Sequence, residues 1–238
     1  MAFGERGAIS DGMTIPPLPD GPHDIEFFFD PGCPFAWQTS VWIRRVAELE
    51  GVRIGWRFIS LRFINEGDPD QPPALRASQE LGLRFHRICA AAREAHGNDA
   101  VGALYRSWGE HYWYQPGEGD LFDRIAAVTE AMDPAKVVEA AGLPASLLDA
   151  ADDPSWDALI RAETEEAFER TGEGVGTPII TYVSSGTSLF GPVISYVPDD
   201  EQAVELYRAL RTMADFPGFS ELKRTKRPPL DLPLLADA

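Results

Sequence analysis

The 238-residue chain is 44% hydrophobic and 25% charged, an ordinary globular composition with enough length for a sizeable core. Its formal net charge of −17 repels polyanions, which argues against nucleic acid or an anionic membrane surface as a partner. No apolar run approaches the ~20 residues of a membrane span, and two cysteines make no disulfide framework, so a reducing cytoplasm is the expected compartment.

Residues 1–22 lack the apolar core of a secretory signal and are rich in Gly, Pro and Asp, which reads as a flexible lead-in. HDIEFFFD (23–30) reads as a short buried strand, and Asp30-Pro31-Gly32 as the turn that ends it. A helix is expected from Pro34 to about Glu50, with Trp42, Val46 and Leu49 on one buried face and Gly51 as its stop. In VRIGWRFISL (52–61), Ile54, Trp56 and Phe58 alternate with Arg53, Gly55 and Arg57, which is strand periodicity. A right-handed crossover would make these two strands parallel.

From Leu61 to about Asp153 no segment has strand character. Residues 74–97, 98–114, 119–132 and 135–142 read as helices, and Pro144 opens a shorter one. Residues 153–172 form a long amphipathic helix with Pro154 in its first turn. A strand follows in GVGTPIITYV (174–183), then a hairpin turn at SSGTS and a second short strand at LFGPV. DDEQAVELYRALRTMA (199–214) closes the fold as a helix, with Asp199 as N-cap and Leu206, Leu210 and Met213 inward. The tail from 217 is irregular. The order β-α-β, helical block, α-β-β-α is that of an α/β thioredoxin fold, residues 23–61 and 154–216, with residues 62–153 inserted as a helical domain.

Two motifs carry chemistry. Cys33 stands where a strand hands over to a helix, whose free N–H groups and partial positive charge stabilise a thiolate. Its pKa is therefore expected below that of a free cysteine, against the alternative of a buried, inert thiol. Pro34 suits the first helical turn because it has no N–H to leave unpaired. Gly176-Thr177-Pro178 directly precedes a strand; Pro178 either marks the strand's start or forms a cis bond facing the thiol. In the second case the Thr177 backbone could pair with a substrate like an added strand.

FDPGCPFAWQTSVWI, the Asn-Glu-Gly at 65–67, RICAAAREAHG, GTPII, LFGPV and PGFSELKRT together resemble the actinobacterial mycothiol-dependent nitroreductases, a family within the DsbA-like branch of the thioredoxin superfamily. The resemblance spans about residues 24–226. It implies cytoplasmic thiol chemistry, with Cys33 as nucleophile, Pro178 as cis-proline, Asn65 as a polar site residue and His111 as a recurring site histidine. Pro34, Phe35 and Thr177 would line the substrate. A low-molecular-weight thiol, mycothiol or glutathione, would supply electrons to a small molecule or a protein disulfide, without a metal. Departures are plain: Phe35 stands where tryptophan is usual, Ala36 replaces the second cysteine of dithiol members, and residues 72–75 lack a tyrosine expected there.

Other features have two readings each. Cys89 follows Leu81 and Phe85 on one helical stripe, as a core cysteine or a resolving thiol. His111 is a helix-end histidine or an acid–base group, and Asn65 a turn former or a site residue. Trp108, Tyr112, Trp113 and Tyr114 wall a pocket or fill the core. Lys223 to Arg227 (KRTKR) is a solvated face or a clamp on the protein's own acidic surface. With Ala36 unable to release an adduct, a second small thiol would have to resolve it. The alternatives are a kappa-class-like transferase or isomerase, in which the cofactor thiol reacts, and a non-catalytic thioredoxin-fold binding module. Nothing in the sequence sets an oligomeric state.

Overall fold

The computed structural model describes residues 15–172 and 174–236. Its centre is β1, Ile25–Phe29, whose side chains apart from Glu26 are apolar on both faces because both faces are covered. Ile25, Phe27 and Phe29 enter the larger core, while Phe28 faces a smaller one with Ile59, Ala167 and Ile179. β2 (Ile54–Phe58) lies parallel to β1, with Phe27 opposite Trp56. β3 (Ile179–Tyr182) pairs antiparallel on the other side, and β4 (Thr187–Phe190) pairs antiparallel with β3. The order β2-β1-β3-β4, with these directions, is that of a thioredoxin fold.

α1 (Pro34–Glu50) ends at Gly51, whose N–H closes on the Ala47 carbonyl and whose φ of 71° turns the chain out of the helix. Leu49, expected on the buried face, is 40% exposed, in a last turn of α1 whose Glu48 and Glu50 are exposed as well. The helical block comprises α2 (Leu61–Ile64), which the sequence pattern did not mark, then α3 (Pro73–His96), α4 (Asn98–Tyr112), α5 (Leu121–Ala131) and α6 (Pro134–Ala140). Two 3-10 segments, Ala145–Asp152 and Pro154–Trp156, lead into α7 (Asp157–Thr171), so the expected helix 153–172 starts as a 3-10 turn. The second short strand sits earlier than LFGPV: it begins at Thr187, and Gly191-Pro192 leaves the ladder through a cis bond. In α8 (Asp200–Ala214), capped by Asp199, the fully buried positions are Ala203, Tyr207 and Ala214; Leu206, Leu210 and Met213 are half-buried.

Side chains of the block satisfy the outer edge of β2. Asn98 accepts from the Trp56 N–H (2.7 Å) and donates to the Trp56 carbonyl (3.0 Å). Glu163 and Thr164 of α7 accept the N–H groups of Phe58 and Ser60. An edge strand that would otherwise present unpaired amides is thereby closed. Residues 15–22, part of the expected flexible segment, are tied to this same edge. The Pro16 carbonyl accepts from Arg57, and Asp20 accepts the Asn98 N–H. Residues 1–14 of that segment lie outside the described residues.

Candidate active site

The apolar run of β1 stops at Asp30, and the chain turns through Pro31-Gly32 to place Cys33 at the N-cap of α1. The Cys33 Sγ accepts weakly from the Ala36 N–H (3.5 Å) and donates to the Thr177 carbonyl (3.4 Å). Thr177 is fixed in turn by its hydroxyl, which donates to the Phe28 carbonyl (2.9 Å), and the Thr177–Pro178 bond is cis. Cys33, Pro34, Thr177 and Pro178 are thus brought together across the ends of β1 and β3.

The electrostatics differ from the expectation of a lowered pKa. Cys33 is 8% exposed, and burial pushes its thiol up to about 12. The amides of Ala36 and Phe35 pull the other way, while the neighbouring Asp30 carboxyl pushes it further up. Desolvation wins because a thiolate here would lose most of its water and gain only two amide contacts. The free chain therefore holds a thiol, and its S–H is engaged by a carbonyl.

In the sequence Asp30 reads only as a turn residue. It has no exposed surface, and its two oxygens accept the N–H groups of Gly32 (2.8 Å) and Leu61 (2.7 Å). It ties the Cys33 turn to the start of α2. Burial raises its pKa to about 7 against the pull of those two amides. The signal in the sequence was an acid closing a strand of buried aromatics three residues before the thiol. Trp108 adds a second tie, donating its indole N–H to the Pro31 carbonyl (3.1 Å).

The remaining expected residues are placed less directly. Asn65 caps α2 and spends its amide on the Leu61 carbonyl (2.9 Å). His111 is half-buried in the last turn of α4, its Nδ1 2.7 Å from the Ser107 carbonyl of the same helix. Phe35 is half-buried in the first turn of α1 and carries the Arg227 guanidinium over its ring at 5.3 Å. Cys89 is fully buried in the main apolar core and is a free cysteine. Trp108, Tyr112 and Trp113 are core residues, and Tyr114 is exposed. A cavity of about 820 Å³ opens along α1, lined by Arg44, Trp56, Asp99 and Arg106 among others; none of the expected site residues lines it. Among the described residues no group of three or more His, Cys, Asp or Glu side chains is placed to hold a metal ion. No described helix is long and apolar enough to cross a membrane.

The model of the Rv2466c-like family, described as mycothiol-dependent nitroreductase Rv2466c, matches residues 32–224. The chain belongs to this family. A relative in Mycobacterium tuberculosis, the uncharacterized protein Rv2286c, is 34% identical over 213 residues, 89% of this chain and 86% of its own. Among solved structures, the cytosolic disulfide reductase DsbM of Pseudomonas aeruginosa is 18% identical, with 80% of this chain and 99% of that one covered and a TM-score of 0.46. A 2-hydroxychromene-2-carboxylate isomerase is 15% identical, over 79% and 95%, with a TM-score of 0.49. Membership of this family makes the protein an oxidoreductase, and its strand order is that of the thioredoxin fold. The matched stretch of the family model includes Cys33, Asn65, His111 and Pro178, and stops before residues 225–238.

Proposed function

We propose that the protein is a single-cysteine thiol oxidoreductase of the cytoplasm, with Cys33 as nucleophile. A low-molecular-weight thiol, mycothiol or glutathione, serves as its electron source. The observation that carries this reading is the Cys33 thiol at the N-cap of α1, hydrogen-bonded to the Thr177 carbonyl beside cis-Pro178. Residue 36 is alanine, and the other cysteine lies in the apolar core. An extended substrate that pairs with the Thr177 backbone would take the carbonyl now held by the S–H. The freed thiol would lose its proton, and the Ala36 and Phe35 amides would hold the thiolate.

That thiolate attacks one sulfur of a disulfide RS–SR, forming a Cys33–S–S–R bond and expelling RS⁻. A second thiolate, from the small thiol, then attacks the mixed disulfide at the R sulfur. Cys33 leaves as thiolate, and the two external sulfurs are joined and carry the oxidation. Pro34, Phe35 and Thr177 surround the reacting sulfur in this scheme, with Pro178 opposite. Asn65 holds α2, and His111 is a candidate proton carrier near the substrate.

Intact-mass measurement after incubation with oxidised mycothiol or oxidised glutathione tests this. One small-thiol adduct at Cys33 is expected, absent from Cys33→Ser, together with full loss of turnover in that variant. An internal Cys33–Cys89 disulfide would overturn the scheme. A second reading, in which the bound small thiol reacts and Cys33 does not, is favoured by the raised Cys33 thiol. Substantial activity retained by Cys33→Ser would establish it in place of the first.

A further inference from the structure

After α8 the chain runs without regular structure through residues 216–232, yet it is fixed at several points. The Ser195 hydroxyl donates to the Pro228 carbonyl (2.9 Å), and the Asp231 N–H donates to the Ser195 carbonyl (2.8 Å). Leu232 and Leu234 are buried in the main core, and Arg124 of α5 reaches the Ala236 carbonyl. Ser195 itself lies just past Pro192, whose carbonyl accepts from Thr39 of α1 (2.7 Å). The tail is thus a strap held by Ser195, the core and α5, and it meets the first turn of α1 where Arg227 lies over the Phe35 ring, two residues from Cys33.

The charge on this strap is opposite to that of the molecule. Lys223, Arg224, Lys226 and Arg227 are exposed, no acid interrupts residues 222–230, and among the described residues none of the four makes an ion pair within 4.0 Å. Of the two readings of this run, the clamp on the protein's own acidic surface is not made, and the four side chains form a solvated face. A chain of net charge −17 instead carries four unspent cations on one strap, which touches the thiol-bearing helix through Arg227 in the first turn, at a helix N-terminus of the same sign. Unpaired cations of one sign at the mouth of a reactive group raise the local concentration of anions there.

We propose that Lys223, Arg224, Lys226 and Arg227 form an anion-recognition rim for Cys33, selecting small-molecule substrates that carry an anionic group. Arg227 is the specificity residue nearest the thiol, held in place by Phe35, and the other three extend the field outward. This rests on Cys33 being the reacting group, and the test separates the two.

Iodoacetate and iodoacetamide both alkylate a thiolate, forming an S–CH₂ bond and releasing iodide, and they differ in one carboxylate charge. Their second-order rates at Cys33 are measured at pH 8.5 and low ionic strength, with Cys33→Ser as the background. In the variant carrying Lys223→Gln, Arg224→Gln, Lys226→Gln and Arg227→Gln, the iodoacetate-to-iodoacetamide rate ratio is expected to fall about three- to tenfold. The iodoacetamide rate should stay within about twofold, and 1 M salt should bring the native ratio to that of the variant. An unchanged ratio with both reagents still labelling Cys33 overturns the rim alone. No labelling of Cys33 by either reagent, together with no Cys33 adduct after incubation with oxidised mycothiol or oxidised glutathione, overturns the single-cysteine reading, and the rim with it.

Discussion

Asp30 holds the thiol turn and the start of α2 with two backbone amides while having no contact with solvent. Its pKa is raised from 3.8 to about 7, so the folded chain keeps a proton that the unfolded chain gives up. Below pH 4 both states are protonated and the group is neutral to stability. Between about pH 4 and 7 only the unfolded chain ionises, so stability falls as pH rises, by about 4 kcal/mol in total, and is flat above. Asp30→Asn removes that slope. Asn keeps one oxygen acceptor and turns an N–H toward the other amide, so the variant should be about 1–3 kcal/mol less stable at pH 5. The gap should narrow by pH 8. Urea midpoints across this range check it, and an unaltered slope in the variant would show that Asp30 is not the titrating group. The acid was legible three residues before Cys33, but its burial was not, because it comes from α2 and α3 closing over the turn.

Among the elements, α7 is polar in sequence and yet is built into the sheet edge. Glu163 has no exposed surface and meets Arg57 (3.0 Å) and Arg93 (2.8 Å) while accepting the Phe58 N–H. Glu26 on β1 completes the network with Arg57 and Arg170. Glu163→Gln leaves two buried guanidinium groups short of a counter-charge and should cost about 3–5 kcal/mol. A denaturant midpoint within error of the native chain would show that Glu26 suffices for Arg57 and that Arg93 needs no counter-charge. The alternation of Arg53, Gly55 and Arg57 marked a strand with a polar outer face. It did not show that Arg57 is 3% exposed, since that depends on a helix more than a hundred residues later. α4 fits its neighbours through two glycines. A side chain at Gly102 would strike the Trp56 indole, and one at Gly109 would overlap the Trp37 ring, so both tryptophans pack where the helix has no Cβ.

Across the whole molecule the tail contributes to the core as well as to the site. Leu232 and Leu234 are 2% and 1% exposed. Truncation before Pro228 removes both and is expected to lower stability by about 3–6 kcal/mol, from about 1.5–3 kcal/mol for each buried leucine. Chemical denaturation of the shortened chain measures this, and an unchanged midpoint would mean that the tail is only laid on the surface. A composition rich in Lys, Arg and Pro gave no sign of such anchoring, because its contacts with the core are confined to Leu232, Leu234 and Leu235 at the very end of the segment.

The order of strands and helices, the inserted block, the N-cap position of Cys33 and the stop at Gly51 were determined by the sequence alone. Each depends on periodicity, a turn residue or a cap, which act over a few positions. The state of the Cys33 thiol, the role of Asp30, the fate of Asn65 and His111, and the path of Arg227 to Phe35 were decided only by tertiary structure. Each is set by which groups far apart in the chain remove water from one another, and desolvation at Cys33 outweighs the local helix terminus that would have favoured the thiolate.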